Sequence, residues 1–266
     1  MRRFRPGLRR TVVPLVLALA ATLAGVQTAA AAPPVAYVAL GDSYAAGVGA
    51  PPDGTSGACA RSTGSYPARF AAATHPASFT SVACSGATTA GVLRDQVSGV
   101  TKNTDLVTLT VGGNDTGFAP VLARCTTAPD DAACDRAVRA GERVARYVLP
   151  SALAVVLGTV HVRAPGAKVV VLGYPRLFGA GKGCPLNRVR SARIDAGADV
   201  LNDRIAETAQ RFGATFVDVR AAFAAHGLCS AAPWIVAPGG PGAYHPTATG
   251  YVRGYLPALR TAAEGA

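Results

Sequence analysis

Three apolar runs in this chain each end in small residues carrying a polar group. Tyr37-Val38-Ala39-Leu40 runs into Gly41-Asp42-Ser43, and the run from Phe79 to Ala83 into Cys84-Ser85-Gly86. The run from Leu106 to Val111 leads into Gly112-Gly113-Asn114-Asp115. If the runs are neighbouring parallel strands, their ends share one edge of a sheet, the edge at which such sheets bind ligands. A serine hydroxyl, a glycine N–H and an asparagine amide would then converge. That set serves acyl transfer, with a nucleophile and hydrogen-bond donors for the oxyanion that forms on the carbonyl. Glycine allows a backbone N–H to approach a substrate closely. Read alone, Gly41-Asp42-Ser43 is equally an ordinary turn after a strand, so the reading depends on the company Ser43 keeps.

Such chemistry needs a base, and the chain has four histidines. His75 precedes Pro76 in a loop, His161 lies late in a helical stretch, and His226 neighbours Gly227 and Cys229. His245 stands in Gly242-Ala243-Tyr244-His245-Pro246-Thr247, just before a terminal helical stretch. A loop running into a last helix can lay an imidazole across a sheet edge. Composition alone does not choose among the four.

The elements around these residues alternate strand and helix. Strands are expected over residues 35–40, 79–83, 105–111, 168–172 and 214–219, from their β-branched and apolar content and their Gly or Pro stops. Helical character is expected over 68–74, 88–97, 135–162, 190–212 and from Thr247 to about Arg260. Pro150 must kink or split the long one. Residues 50–67, the stretch holding Cys125 and Cys134, and residues 176–187 read as loops. Apolar strands alternating with helices imply a parallel sheet covered on both faces. With right-handed crossovers the result is a three-layer α/β/α, doubly wound domain of flavodoxin-like type.

The N-terminus has five arginines in its first ten residues, then an apolar segment from Val12 to about Val26 and the run Ala29–Ala32. This is the pattern of a cleaved secretory signal peptide, residues 1–32. The apolar part is shorter than the roughly 20 residues that span a bilayer. Export through either the general or the twin-arginine route leaves residues 33–266 as a single domain, secreted and extracellular. The whole chain of 266 residues carries a formal charge of +11; losing the five leader arginines lowers it to +6. That charge suits transient contact with anionic lipid surfaces. No basic block interleaves with aromatics, so a nucleic-acid partner is not expected.

All six cysteines lie beyond the leader, and an even count in an exported chain points to disulfides. Six cysteines allow fifteen pairings, of which the sequential one is the simplest. No C-x2-C pair is present, so zinc is not expected, and no other metal or cofactor is implied. There is no G-x-S-x-G nucleophile elbow and no HExxH. Gly179-Ala180-Gly181-Lys182-Gly183 lacks the Ser or Thr that follows the lysine of a phosphate loop. Asn114-Asp115-Thr116 also fits a glycosylation sequon.

The order Gly41-Asp42-Ser43-Tyr44, Gly86, Gly112-Gly113-Asn114-Asp115 and His245-Pro246-Thr247 resembles the SGNH (GDSL) hydrolase family. The similarity is greatest to its secreted actinobacterial lipase/esterase branch with three disulfides. The resemblance implies Ser43 as nucleophile and His245 as general base. It implies the Ser43 and Gly86 N–H groups and the Asn114 amide as oxyanion-hole donors. It also implies the pairs Cys59–Cys84, Cys125–Cys134 and Cys184–Cys229. One departure stands out. Many members carry Asp three residues before the histidine, and here that position is Gly242. The expectation is that a backbone carbonyl, that of Gly242 or a neighbour, orients the imidazole instead; Asp218 is the alternative acid.

The function expected is that of a monomeric, cofactor-free serine ester hydrolase, a lipase or esterase cleaving fatty-acyl esters such as triacylglycerols. Phospholipase A and polysaccharide acetyl esterase are the alternatives within that chemistry. A non-catalytic wall- or lipid-binding protein is the alternative outside it.

Overall fold

The computed structural model of the chain describes residues 1, 35–51, 57–179 and 184–264. The expected leader, residues 1–32, therefore lies outside the described residues apart from Met1. All the elements below belong to the compact unit Pro34–Ala266.

Five strands form one sheet: β1 (Ala36–Gly41), β2 (Ser78–Ser81), β3 (Leu106–Thr110), β4 (Lys168–Leu172) and β5 (Thr215–Val217). Their order is β2-β1-β3-β4-β5, and every pairing is parallel. The central strands β1 and β3 are buried almost throughout. Continuous burial explains why they read as unbroken apolar runs rather than alternating ones. The edge strands β2 and β5 are short and partly exposed, so their apolar signal overran their true ends.

The helices are α1 (Ser43–Ala46), α2 (Tyr66–Thr74), α3 (Thr89–Gly91), α4 (Phe118–Thr127), α5 (Asp131–Tyr147), α6 (Leu149–Arg163), α7 (Arg188–Arg211), α8 (Arg220–Phe223), α9 (Ala248–Gly250) and α10 (Leu256–Glu264). α3 continues through a π-turn, Val92–Gln96, and α9 runs into α10 through another, Tyr251–Tyr255. Pro150 splits the long helix as expected. It cannot donate to the carbonyl four residues back, so α5 ends at Tyr147 and α6 leaves at 45°. Among the described residues no single helix is long and apolar enough to cross a membrane.

One expectation fails locally. Cys125 and Cys134 do not sit in a loop: Cys125 is in α4 and Cys134 in α5. Phe118, Val121, Leu122 and Cys125 have helical spacing, but the run is short and is followed by turn-forming residues. The disulfides are Cys59–Cys84, Cys125–Cys134 and Cys184–Cys229. The second clamps α4 to α5.

Candidate active site

Parallel pairing puts the carboxyl ends of β1 and β3 side by side, and the chain turns sharply at each. Gly41 ends β1 with φ at +132°, and a Cβ there would collide with the Thr110 carbonyl of β3. Only glycine fits such an approach. Asp42 then caps α1, its Oδ1 accepting from the Tyr44 N–H at 2.9 Å. Ser43 is thereby the first residue of a short helix, where the backbone N–H has no intrahelical partner. The residue is nearly buried, at 8% exposure.

The loop carrying His245 is zipped to the segment before it. The amides of Val236 and Tyr244 bond the carbonyls of His245 and Val236, at 2.8 and 2.9 Å, and the Thr247 amide bonds the Trp234 carbonyl at 2.7 Å. The Tyr44 hydroxyl donates to the Tyr244 carbonyl at 2.8 Å, and the Tyr44 ring lies 5.0 Å from the His245 ring. These contacts bring His245 Nε2 to 2.7 Å from Ser43 Oγ across 202 residues of sequence.

At the other imidazole nitrogen the hydrogen-bonded carbonyl is the neighbour of the one named first, Gly242. Nδ1 lies 2.9 Å from the carbonyl of Ala243, not that of Gly242. The Gly242 carbonyl accepts instead from the backbone N–H of His245, at 3.0 Å, closing a tight turn. That turn rotates the next carbonyl towards the ring. A carbonyl only accepts, so Nδ1 carries the proton. The neutral ring then presents Nε2 as an acceptor for the Ser43 hydroxyl proton. Burial pushes the His245 imidazole below its ordinary 6.5, and the backbone carbonyls of Ala243 and Gly242 partly offset this.

Asp218 is elsewhere. Its carboxylate is bonded by the Arg220 guanidinium, with Nη2 at 2.7 Å, and by the Arg220 amide at 2.9 Å. The remaining histidines also stay apart. His226 stacks on Trp234 with its Nδ1 at 2.8 Å from the Ala232 carbonyl, and His75 and His161 are exposed.

Gly86 and Asn114 lie on two loops that are bonded to each other. The Asn114 Nδ2 donates to the Ala87 carbonyl at 3.0 Å, leaving that amide a second N–H. Asp115 accepts from the Thr89 amide at 3.0 Å and from the Thr89 hydroxyl at 2.5 Å. Gly86 is exposed, has φ at +81°, and a Cβ built on it meets nothing within 4 Å. Its backbone is thus open to an incoming group. The Cys59–Cys84 bridge, the Cys84 amide on the Gly41 carbonyl at 3.0 Å and the Ser85 amide on the Cys59 carbonyl at 3.0 Å anchor that loop beside β1.

Two further side chains were not legible as site residues. Gln96 brackets the β1 terminus, accepting from the Gly41 N–H at 2.7 Å and donating to its carbonyl at 2.9 Å. Tyr174 lies beneath the site: its hydroxyl donates to Asp42 Oδ2 at 2.5 Å and accepts from the Gly113 N–H at 3.0 Å. One phenol thus bolts the residue before Ser43 to the residue before Asn114. Burial pushes the Asp42 carboxyl up to about 7, while the Tyr174 hydroxyl and the Tyr44 amide pull it back down. Burial, with the Asp42 charge beside it, holds the Tyr174 phenol far above its ordinary value. Among the described residues no group of His, Cys, Asp and Glu side chains could hold a metal ion.

Residues 39–253 match the family described as GDSL-like lipase/acylhydrolase. The chain belongs to that family. It is 44% identical to a lipase of Streptomyces rimosus over 95% of this chain and 97% of that protein. Lipase 1 of Streptomyces coelicolor is 42% identical, over 99% of this chain and all of that protein. Among solved structures, phospholipase A1 from Streptomyces albidoflavus NA297 superposes with a TM-score of 0.82 at 43% identity, covering 86% of this chain and 99% of that one. The extracellular lipase of S. rimosus gives 0.81 at 45% identity, with the same coverages. An acetylxylan esterase from Geobacillus stearothermophilus, at 17% identity and a TM-score of 0.51, shares the fold. This member of the family is a carboxylic ester hydrolase of the lipase/esterase kind.

Proposed function

We propose that the protein is an exported serine hydrolase that cleaves fatty-acyl esters such as triacylglycerols through an acyl-enzyme on Ser43. The observation carrying this reading is the 2.7 Å contact between Ser43 Oγ and His245 Nε2, in a ring whose other nitrogen faces a backbone carbonyl. His245 Nε2 takes the hydroxyl proton as Oγ attacks the ester carbonyl carbon. The carbonyl oxygen becomes the oxyanion, held by the Ser43 and Gly86 N–H groups and the free N–H of Asn114. As the tetrahedral centre collapses, the bond to the alkoxy oxygen breaks and His245 gives that oxygen the proton. Water repeats the sequence on the acyl-enzyme, releasing the acid and restoring Ser43.

The Ala243 carbonyl performs the part of a triad acid that needs no charge, holding tautomer and ring orientation. The protein is read as a monomer carrying the domain 33–266 behind a cleaved leader, residues 1–32. The lipase relatives support a lipid ester as substrate. The phospholipase A1 from S. albidoflavus NA297, at 43% identity, favours a second reading in which the ester belongs to a phospholipid.

The test is hydrolysis of p-nitrophenyl esters of graded chain length, then of triacylglycerol and phosphatidylcholine emulsions, beside a Ser43→Ala control. Activity that vanishes in Ser43→Ala is expected. A protein inert towards every ester would instead be a binding protein on this scaffold.

A further inference from the structure

α5 sorts its charges by face. Its three acids, Asp131, Asp135 and Glu142, turn towards α7. The Arg190 guanidinium bonds Asp131 at 2.7 Å, and Arg193 bonds Asp135 and Glu142, each at 2.6 Å. Its four arginines, Arg136, Arg139, Arg143 and Arg146, stand at i, i+3, i+7 and i+10, and all four are exposed. That spacing gathers them in one stripe, on the side opposite the buried Val138 and Ala145. Arg139 shares Asp135 at 2.7 Å. Among the described residues no salt bridge engages Arg136, Arg143 or Arg146.

The stripe ends at an apolar tip. Tyr147 closes α5 and Val148 joins it to α6, and they are 76% and 58% exposed. The helix behind them is fixed to the loop that carries Asn114. A Cβ on Gly112 would come within 3.1 Å of Leu149, and one on Gly141 within 2.8 Å of the Thr116 carbonyl. Gly112 and Thr116 bracket Asn114, so the arginine stripe lies about one helix diameter, roughly 10 Å, from that loop.

We propose that the outer face of α5, with the Tyr147–Val148 tip, docks the protein on an anionic lipid surface. The proposal deepens the lipid-ester reading, and rests on it for the purpose of docking though not for the binding itself. Arginine lays its methylenes along apolar surface while its guanidinium bonds phosphate oxygens. Tyrosine suits the headgroup level, where one end of the ring is wet. A basic stripe with an adjoining apolar tip is the make-up of a helix lying in the interface. The opposite face of α5 is packed in the domain, so the helix lies on a bilayer and does not cross it. A soluble polyanion would meet the arginines but leave Tyr147 and Val148 in water.

Binding is measured by co-sedimentation with vesicles of phosphatidylcholine, alone or mixed with phosphatidylglycerol. Exported protein carrying Ser43→Ala is used, so that no ester is cleaved. Partition onto the anionic vesicles should exceed that onto phosphatidylcholine by more than about tenfold. It should collapse in about 1 M salt, where the screening length is about 3 Å. Each arginine near an anionic bilayer is worth about a fivefold factor, so Arg143→Gln with Arg146→Gln should lower anionic partition about 20- to 30-fold. Arg253→Gln with Arg260→Gln removes equal charge from two exposed positions elsewhere and should lower it less than about threefold. Tyr147→Ser with Val148→Ser should lower it severalfold. Circular dichroism checks the folding of each variant. With Ser43 restored, each should hydrolyse p-nitrophenyl acetate as the wild type does. Equal losses in the two arginine pairs would overturn the docking face in favour of net charge. Equal retention on soluble dextran sulfate, with no loss in the tip variant, would overturn the lipid assignment in favour of a polyanion. Absence of partition onto any vesicle would overturn the proposal outright. A wild-type protein without Ser43-dependent hydrolysis would overturn the proposed reaction and leave the binding result standing.

Discussion

Tyr174→Phe removes one oxygen atom and tests how the site is held together. In the wild-type protein that oxygen accepts from the buried Gly113 N–H and donates to Asp42. Its loss leaves Gly113 N–H with no acceptor, at a cost of about 1–3 kcal/mol. The second loss depends on pH. Asp42 has an ordinary value of 3.8 that burial raises to about 7 in the folded protein. Between those values the unfolded chain gives up the proton and the folded one keeps it, so this group lowers stability as pH rises towards 7. Tyr174 opposes that trend by bonding the ionised carboxylate. Without it the folded-state value moves higher still, and stability goes on falling above pH 7. The variant should be destabilised by about 1–3 kcal/mol at pH 5, and by a further 1.5–3 kcal/mol at pH 9, the usual worth of a hydrogen bond to a charged group. Urea unfolding at the two pH values measures both figures. Because Asp42 and Gly113 adjoin Ser43 and Asn114, kcat on a short ester should fall more than KM rises. An identical loss of stability at pH 5 and pH 9, or wild-type stability at both, would refute this account of the network.

Other consequences follow from the same geometry. Asp218→Asn should keep activity within about twofold, because the carboxylate is engaged by Arg220 and not by the imidazole; a collapse of kcat with the fold intact would show that Asp218 serves His245. The acid limb of kcat/KM should fall below pH 6.5, since burial depresses the His245 value and keeps the ring neutral to lower pH; a limb above 6.5 would mean a carboxylate partner. Asn114→Ala should lower kcat by about 10²–10³, as loss of one oxyanion donor does, and a near-normal kcat would remove Asn114 from the site.

Ser43, Gly86 and Asn114 follow strand ends marked by glycine with a polar residue, but local composition left Ser43 in an ordinary turn and did not choose among the histidines; the resemblance to the SGNH family supplied the roles of Ser43, Gly86, Asn114 and His245. A buried parallel strand shows itself as a β-branched run, and its carboxyl end as glycine with a polar residue. The parallel sheet followed from the alternation of such runs with helical stretches. The helix holding Cys125 was missed because a short run with helical spacing, followed by turn residues, gives a weak periodic signal; the helix holding Cys134 was expected, but it starts at Asp131 rather than 135.

The sequence by itself determined which groups could react: one serine after a strand, a late histidine, no carboxylate at position 242 and an even number of cysteines. Tertiary structure decided what holds them. Gln96 meets Gly41 across 55 residues of chain, Tyr174 meets Asp42 across 132, and Tyr44 meets Tyr244 across 200. Nothing in local composition encodes such pairings, because they arise only when the strands are set side by side. The choice of Ala243 over Gly242 has the same origin. Both carbonyls lie close to His245 in sequence, and the turn closed between the His245 N–H and the Gly242 carbonyl accompanies the 2.9 Å approach of the Ala243 carbonyl to Nδ1.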